Sequence, residues 1–423
     1  MSMHRVAIIG GIRTPFVKAG GAFKDYSFQN LGAHVLKSVV KRFDLKQDTI
    51  DEFIFSSVLL DPTTPNWARE ILFEAGLKKN IYAHSVSNNC ISGLVAITSA
   101  AERIRLGLST CAIAGGSESM TNPSLTFGKQ ASKIFLELFR TRAPIERAKL
   151  VCKLRPRHLM PRPPAVTEPS TGLTMGQHME ITAKEMGIPR NVQDEIALAS
   201  HKNAFAATED NRLTAEIEPL GGVERDLLIR ADTSLEKLAA LKPVFDRSSQ
   251  GTITAGNASA LTDGASAVVL MSEEMAKKDG REILAFISDY QYAAIDPALG
   301  LLMAPAVAVP KLLARNSLTF SDFDLIEIHE AFGAQVAANI KAWEEGWSSE
   351  PGNSASKLRV GPLDRTKLNV LGGSIAIGHP FAATGGRMVT TLANELKRRC
   401  ARRGLISVCA AGAMAASMTL VRD

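Results

Sequence analysis

Nothing in this chain of 423 residues is arranged to staple it together. Its five cysteines are an odd number without a CxxC pair or framework spacing, which excludes a disulfide-clasped secreted scaffold and points to a reducing compartment. No Cys/His grouping has the spacing of structural zinc. Aromatic residues are scarce, at 6%, while glycine and alanine are plentiful, a balance that favours close-packed helices and sheets over a sandwich. The opening MSMHRVAIIGGIRTPF lacks the apolar core of a signal peptide and the Arg/Ser-rich helix of a transit peptide, so a cytoplasmic location is expected. Two uncharged stretches, 368–386 and 404–421, are the nearest approach to membrane spans. The first is broken by Pro380 and five glycines and the second is mostly Ala, Gly and Ser, so both read as buried strand and turn elements.

With 45% apolar and 22% charged residues, the chain is an ordinary globular one of two or three domains, long enough to bury a sizeable core. Its net charge of +6 is unevenly spread. Residues 126–163 carry ten Lys and Arg against Glu137 and Glu146, interleaved with Ile134, Phe135, Leu138 and Phe139. This pattern fits a solvated helical hairpin, an anionic membrane surface or a partner subunit. No nucleic-acid-binding fold accompanies it, so a nucleic-acid partner is not expected.

The most informative pattern is an internal duplication. A helical stretch through Leu31, Val35, Val39 and Val40 leads into LKQDTIDEFIFSSV; another through Val307, Leu312 and Leu313 leads into LTFSDFDLIEIHEAF. Later, NNCISGLVAITSAAERIRLG precedes CAIAGG, and GHPFAATGGRMVTTLANELKRRCARRG precedes LISVCAAG. Each long helix ends in Lys and Arg, which suit its dipole. Strand–helix alternation repeated twice implies two like α/β halves. Residues 1–125 with 242–279 form the first half and 280–423 the second. Residues 126–241 form an insertion, in which Pro189 starts a helix whose Ala197, His201, Ala204 and Phe205 mark a compact face.

Chemistry concentrates at the two helix-opening turns. Cys90 stands at or just before a helix N-terminus, where the dipole and unpaired N–H groups favour thiolate; the bland reading is an inert core thiol. His379 lies in the glycine-crowded NVLGGSIAIGHPFAATGGR and occupies, by the duplication, the turn that Cys90 occupies in the first half. If the halves pack about a pseudo-twofold, the histidine can take the thiol proton; otherwise it is a satisfied structural side chain. His329-Glu330 is no HExxH metal site, because Gly333 stands where the second histidine is required. At a strand end, His329 can instead donate to a developing oxyanion. Cys409 in SVCAAGA is a second acid or base, or buried packing. Neither GGIRTPF nor IAGGSES is a GxGxxG fingerprint, which removes support for a nicotinamide cofactor.

At these residues the chain resembles the thiolase superfamily over nearly its whole length. The motifs occur in family order: RTPF at 13–16, the segment around Cys90, AGGSESM at 114–120, GTITAGNASALTDGA at 251–265, HEAF at 329–332, NVLGGSIAIGHP at 369–380 and the segment at Cys409. The resemblance implies a five-layered αβαβα fold with an inserted loop domain over the coenzyme A site. It makes Cys90 the acylated nucleophile, His379 its base and Cys409 the second proton carrier. His329, where many relatives have Asn, becomes a donor to one oxyanion hole, and the N–H groups of Cys90 and Ala411 form the other. Ser259 becomes a pantetheine contact, and Met175 and Phe332 line the substrate tunnel.

The HEAF form, the basic 126–163 segment and MPRPPAV look like the β-subunit branch of the fatty-acid oxidation complex. That likeness implies a degradative thiolase for medium or long 3-ketoacyl-CoA. Homodimerisation, a hydratase/dehydrogenase α subunit and peripheral membrane contact through 126–163 are implied with it. Coenzyme A would be a substrate, with no metal or bound cofactor. The chain departs from its relatives at Ala382 and in the alanine-rich CAAGAMAAS, where backbone donors survive only if the local φ suits alanine. An acetoacetyl-CoA thiolase, a condensing enzyme of the same fold and a non-catalytic acyl-CoA or lipid carrier are the competing readings.

Overall fold

The computed structural model describes residues 4–165, 167–350, 352–353 and 357–423. Met1–Met3 of the opening segment and Val166 of the proline-rich stretch lie outside them. In chain order the first half comprises β1 (Val6–Arg13), β2 (Val17–Lys18), α1 (Phe28–Arg42), β3 (Glu52–Ser56), α2 (Trp67–Glu74), β4 (Tyr82–Val86), α3 (Ser92–Arg105) and β5 (Cys111–Glu118). There follow α4 (Lys129–Arg140), α5 (Pro144–Val151), α6 (Met175–Glu185), α7 (Arg190–Glu209) and α8 (Leu235–Ala239), then β6 (Thr262–Ser272) and α9 (Glu273–Lys278). The second half runs through β7 (Ala285–Ala294), α10 (Pro305–Arg315), β8 (Leu325–Ile328), α11 (Gly333–Glu345), α12 (Ser374–Ile377), α13 (Thr384–Arg398), β9 (Arg403–Ala410) and β10 (Met414–Val421).

Strand order is β4-β3-β5-β6-β1-β7-β10-β9-β8. The duplication is visible in this list. β3 runs parallel to β5, which is antiparallel to β6, itself antiparallel to β1. β8, β9, β10 and β7 repeat those relations in the same sequence. Even β4 has a vestigial counterpart, since Leu368 bridges Ile326 of β8 in parallel, as β4 pairs with β3. The halves are not separate sheets, however. Val6–Ile8 pair with β7 as well as β6, so one hydrogen-bonded path crosses both.

Alternation along the strands builds the layers. In β6, Ala267, Val269 and Met271 face one cluster with Leu31, Val35, Val39 and Ile71 from α1 and α2. Val268 and Leu270 face the other, with Ile97 and Ile104 of α3 and Met388 and Leu392 of α13. Beyond the second half's strands, Leu312 and Leu313 of α10 and Ile340 and Trp343 of α11 cover Ile326, Ile328 and Leu405. The sequence of layers is therefore α1/α2, sheet, α3/α13, sheet, α10/α11. Each fully buried Val, Leu or Ile removes apolar area from water at about 1.5–3 kcal/mol. Local signals agree with this packing: Ser27 and Asn30 form a capping box that starts α1, and Lys397 and Arg398 end α13.

Two expectations need correction. Residues 368–386 form no strand; they are short helical turns leading into α13, because Gly372 and Gly378 take positive φ (79° and 107°) that interrupts extended backbone. On α7, Ala197, His201 and Ala204 are buried but Phe205 is 38% exposed, since a residue one step beyond Ala204 rotates off that face. The 404–421 stretch is the β9–β10 hairpin, and among the described residues no helix is long and apolar enough to cross a membrane.

The central helices α3 and α13 cross where neither carries a side chain. A Cβ on Gly93 would lie 2.5 Å from the Ala382 carbonyl oxygen, and one on Gly385 would lie 2.5 Å from the Leu94 nitrogen. Gly93→Ala is therefore expected to cost about 1–3 kcal/mol through overpacking. Thermal melting should fall by a few degrees; an unchanged midpoint would show that the crossing has slack.

Candidate active site

The crossing brings together the turns that open α3 and α13. Ahead of α3, Asn89 adopts φ 47°, and the Ser92 hydroxyl accepts from Asn88 N–H at 2.7 Å and donates to the Asn89 carbonyl at 2.6 Å. This locks Cys90 at the mouth of the helix, half-buried. The Asn89 side chain reaches across to the other half and donates to the Ala411 carbonyl at 3.0 Å. Burial pushes the Cys90 thiol up to about 11, although the N–H groups of Ala411 and of Cys90 itself draw it down. Desolvation outweighs the pull of the helix terminus toward thiolate, so Cys90 is a thiol that needs a base.

His379 sits in the corresponding turn, buried, with Nδ1 2.7 Å from Thr384 Oγ1. The Thr384 hydroxyl reaches the Pro380 carbonyl at 3.3 Å. His329, at the end of β8, lies with its ring centroid 4.0 Å from that of His379. Its Nδ1 is 2.8 Å from Ser374 Oγ, and its N–H donates to the Ser407 carbonyl. The Nε2 atoms of both rings are buried with no hydrogen-bond partner among the described residues, an unusual condition in a folded interior. Burial, then the nearby Arg387 guanidinium, pushes His379 down to about 3; burial, His379 and Arg387 push His329 well below the ordinary histidine value. Both imidazoles are neutral.

Segment 258–261 ties the two histidine loops together. Ser259 N–H donates to the Ala331 carbonyl at 3.0 Å, and the Ala260 carbonyl accepts from His379 N–H at 3.3 Å. Cys409 is buried at the end of β9, its thiol raised by burial and by the neighbouring Cys90. It shares an apolar cluster with Phe332, Met179 and Met303, against which Met175 and Phe245 pack. The rings of Phe245 and Phe332 meet edge to face at 5.8 Å. Ala382 and Ala411 both have negative φ, so alanine suits the backbone at those two positions; in the last motif Gly412 (φ 77°) and Ala413 (φ 55°) are left-handed, and only at Ala413 does alanine bear the strain.

A polar frame behind the histidines went unread in the sequence. Arg387, fully buried on α13, donates to Glu327 at 3.1 Å and to Ser374 Oγ at 3.2 Å. Glu330 accepts from Asn369 (2.6 Å), Ser200 (2.6 Å) and Ile375 N–H (3.2 Å). Glu118 accepts from the N–H groups of Val58, Leu59 and Ala382, and burial raises it to about 7. The available signal was charge in apolar strands: Glu327 stands between isoleucines in LIEIHE, and Arg387 follows an uncharged run. No group of three or more His, Cys, Asp or Glu among the described residues is placed to hold a metal ion.

Fold and site together define a duplicated α/β protein that presents a cysteine and paired neutral histidines at its internal twofold, with a second cysteine beside them. A family profile described as thiolase, N-terminal domain, matches residues 6–274, and one described as thiolase, C-terminal domain, matches 281–422. The chain belongs to the thiolase family. It is 41% identical over 422 residues to a 3-ketoacyl-CoA thiolase of Pseudoalteromonas translucida, covering 98% of this chain and 96% of that one. A 3-ketoacyl-CoA thiolase of Klebsiella pneumoniae is 40% identical over 425 residues with the same coverage. Among solved structures, the acetyl-CoA acetyltransferase of Bacillus anthracis aligns with TM-score 0.85 at 32% identity, covering 99% of each chain. Human mitochondrial 3-ketoacyl-CoA thiolase in complex with CoA aligns with TM-score 0.84 at 26% identity, covering 99% of this chain and 98% of that one.

The protonation states are testable without substrate. With the thiol near 11, about one Cys90 in ten thousand is ionised at pH 7. Alkylation of Cys90 by iodoacetamide, followed by peptide mass, should climb tenfold per pH unit past pH 9. A plateau near neutrality would instead reveal a resting thiolate–imidazolium pair.

Proposed function

We propose that this chain is a degradative 3-ketoacyl-CoA thiolase. The observation that carries the reading is the backbone-to-backbone meeting of α3 and α13 at Gly93 and Gly385, which joins the turns that hold Cys90 and His379, with burial keeping the thiol protonated and the imidazole neutral. In this reading the Cys90 sulfur attacks the 3-keto carbon while His379 Nε2 takes the thiol proton. The tetrahedral alkoxide is held by the N–H groups of Cys90 and Ala411. The C2–C3 bond then breaks, leaving the acyl group on Cys90 and the electron pair on acetyl-CoA as its enolate. His329 and His379 donate to the enolate oxygen, and Cys409 supplies the proton to its α-carbon. Cys409, now thiolate, takes the proton of an incoming CoA thiol, whose sulfur displaces Cys90 and releases the shortened acyl-CoA. His379 returns its proton to Cys90.

The apolar wall of Met175, Phe332 and Phe245 supports a medium or long acyl chain, and Ser259, pinned beside the HEAF loop, supports a pantetheine contact. Residues 126–241 supply the cover over this site. CoA serves as substrate, with no further cofactor. The α4–α5 hairpin presents Phe139 and Ile145 at 86% and 72% exposure among its Lys and Arg side chains, which supports docking of a homodimer on an anionic membrane or on an α subunit. An acetoacetyl-CoA thiolase is the second reading, favoured by the likeness to the Bacillus anthracis acetyltransferase.

CoA-dependent thiolysis should be faster, in kcat/KM, with 3-ketohexadecanoyl-CoA than with acetoacetyl-CoA. Cys90→Ala should lower it about 10³-fold or more. Preference for the four-carbon substrate selects the second reading, and undiminished turnover by Cys90→Ala removes the nucleophile assignment. Reversing four basic charges of the hairpin should weaken binding to anionic vesicles or to the α subunit and leave thiolysis intact. Unaltered binding to both would remove the docking role.

A further inference from the structure

The two buried histidines are 4.0 Å apart and belong to like environments, yet the reaction above asks opposite things of them. His379 Nε2 must accept a proton, and His329 Nε2 must donate to an oxygen. We propose that Ser374, held by Arg387 and Glu327, is a positioning residue that fixes His329 in the Nε2–H tautomer, opposite to that of His379. The proposal deepens the thiolase reading and rests on it for its consequence, though not for its geometry.

Arg387 can only donate, so Ser374 Oγ accepts from it at 3.2 Å. Glu327 accepts from the other guanidinium nitrogen at 3.1 Å and holds the arginine in place. The Ser374 hydroxyl still has a proton to place, and among the described residues its remaining partner is His329 Nδ1 at 2.8 Å. If Nδ1 carried the hydrogen instead, Ser374 would receive two donors and its own proton would be buried without an acceptor, a penalty the other arrangement avoids. Ser374 therefore donates to Nδ1, and the ring hydrogen of neutral His329 goes to Nε2, the atom left without a partner.

At His379 the hydrogens fall the other way. The Thr384 hydroxyl donates to the Pro380 carbonyl, so its oxygen accepts from His379 Nδ1 at 2.7 Å. The Nε2 of His379 then carries a lone pair. Each tautomer is set by the neighbour of the far nitrogen.

The requirement for Ser374 exists because residue 329 is histidine. An asparagine there carries its own N–H donor and has no tautomer to choose. Two measurements test this. First, long-range proton–nitrogen spectra of histidine-labelled resting protein, assigned with His329→Asn and His379→Asn, should show the hydrogen on Nε2 of His329 and on Nδ1 of His379. The hydrogen on Nδ1 of His329, or the same tautomer in both rings, overturns the proposal. This readout needs no turnover, so it stands or falls separately from the thiolase reading. Second, Ser374→Ala should lower kcat about tenfold with KM little changed, and should cost less than about twofold when introduced into His329→Asn. An equal loss in both backgrounds would mean the hydroxyl is merely structural; no loss in either would mean it does not set His329.

Discussion

Two helices that approach backbone to backbone set the geometry on which everything else in this protein depends. Gly93 of α3 and Gly385 of α13 leave room for the Ala382 carbonyl and the Leu94 nitrogen, and Gly116 at the end of β5 leaves room for the same carbonyl. Any side chain at these points would push apart the two turns that carry Cys90 and His379. The contact is also pinned by a polar group: Glu118 accepts from Ala382 N–H while gripping the 58–59 backbone. The turn after His379 is thus tied to the first half, although it belongs to the second. This explains why alanine is at home at residue 382, where the surroundings engage the backbone.

Buried charge surrounds this crossing and has an electrostatic consequence. Arg13 and Asp226 form a doubly hydrogen-bonded pair at 2.7 Å, and Arg387 and Glu327 a second at 3.1 Å, all four fully or almost fully enclosed. Such pairs rarely add net stability, because desolvation offsets the attraction. Here Arg387 adds to burial in keeping both imidazoles uncharged. A site that rests neutral, with a thiol, two imidazoles and a second thiol, is stabilised least in its resting state. It gains most when thiolate, alkoxide or enolate charge develops next to donors already aimed at it. That is electrostatic preorganisation in the sense that matters for a rate.

Much of this was legible in the residues because the duplication is written in small, local signals. Helix-then-strand order survived in both halves, and the motif series singled out Cys90, His379, His329 and Cys409. What escaped has physical reasons. The continuity of the sheet depends on Val6–Ile8 pairing on both edges, which the residues of one strand cannot announce. Residues 368–386 are mostly apolar and uncharged like a strand, but positive φ at Asn369, Gly372 and Gly378 breaks them into turns. How far the Cys90 thiol is raised could not be read from the residues, because a helix terminus is a local feature, whereas desolvation is a sum over everything packed around it. Ser374, Thr384 and Arg387 all lie within NVLGGSIAIGHPFAATGGR, but its letters do not say that Ser374 and Thr384 face histidine nitrogens or that Arg387 holds Ser374.

The same building device, used twice, ends in two chemistries, and the difference lies in where a hydroxyl spends its proton. Before α3, Ser92 satisfies itself on the backbone at both its oxygen and its hydrogen. The Cys90 sulfur in that turn is met by the backbone N–H groups of Ala411 and of Cys90 itself. Before α13, Thr384 uses its hydrogen on a carbonyl and its oxygen on the histidine ring. The reactive side chain of that turn is thereby held from behind, one nitrogen engaged and the other bare. In the proposed reading, Cys90 as nucleophile must be free to form a new bond, whereas His379 as base must keep its orientation through two proton transfers. One pseudo-symmetric scaffold meets both demands because its two helix starts differ in a single hydrogen-bonding choice.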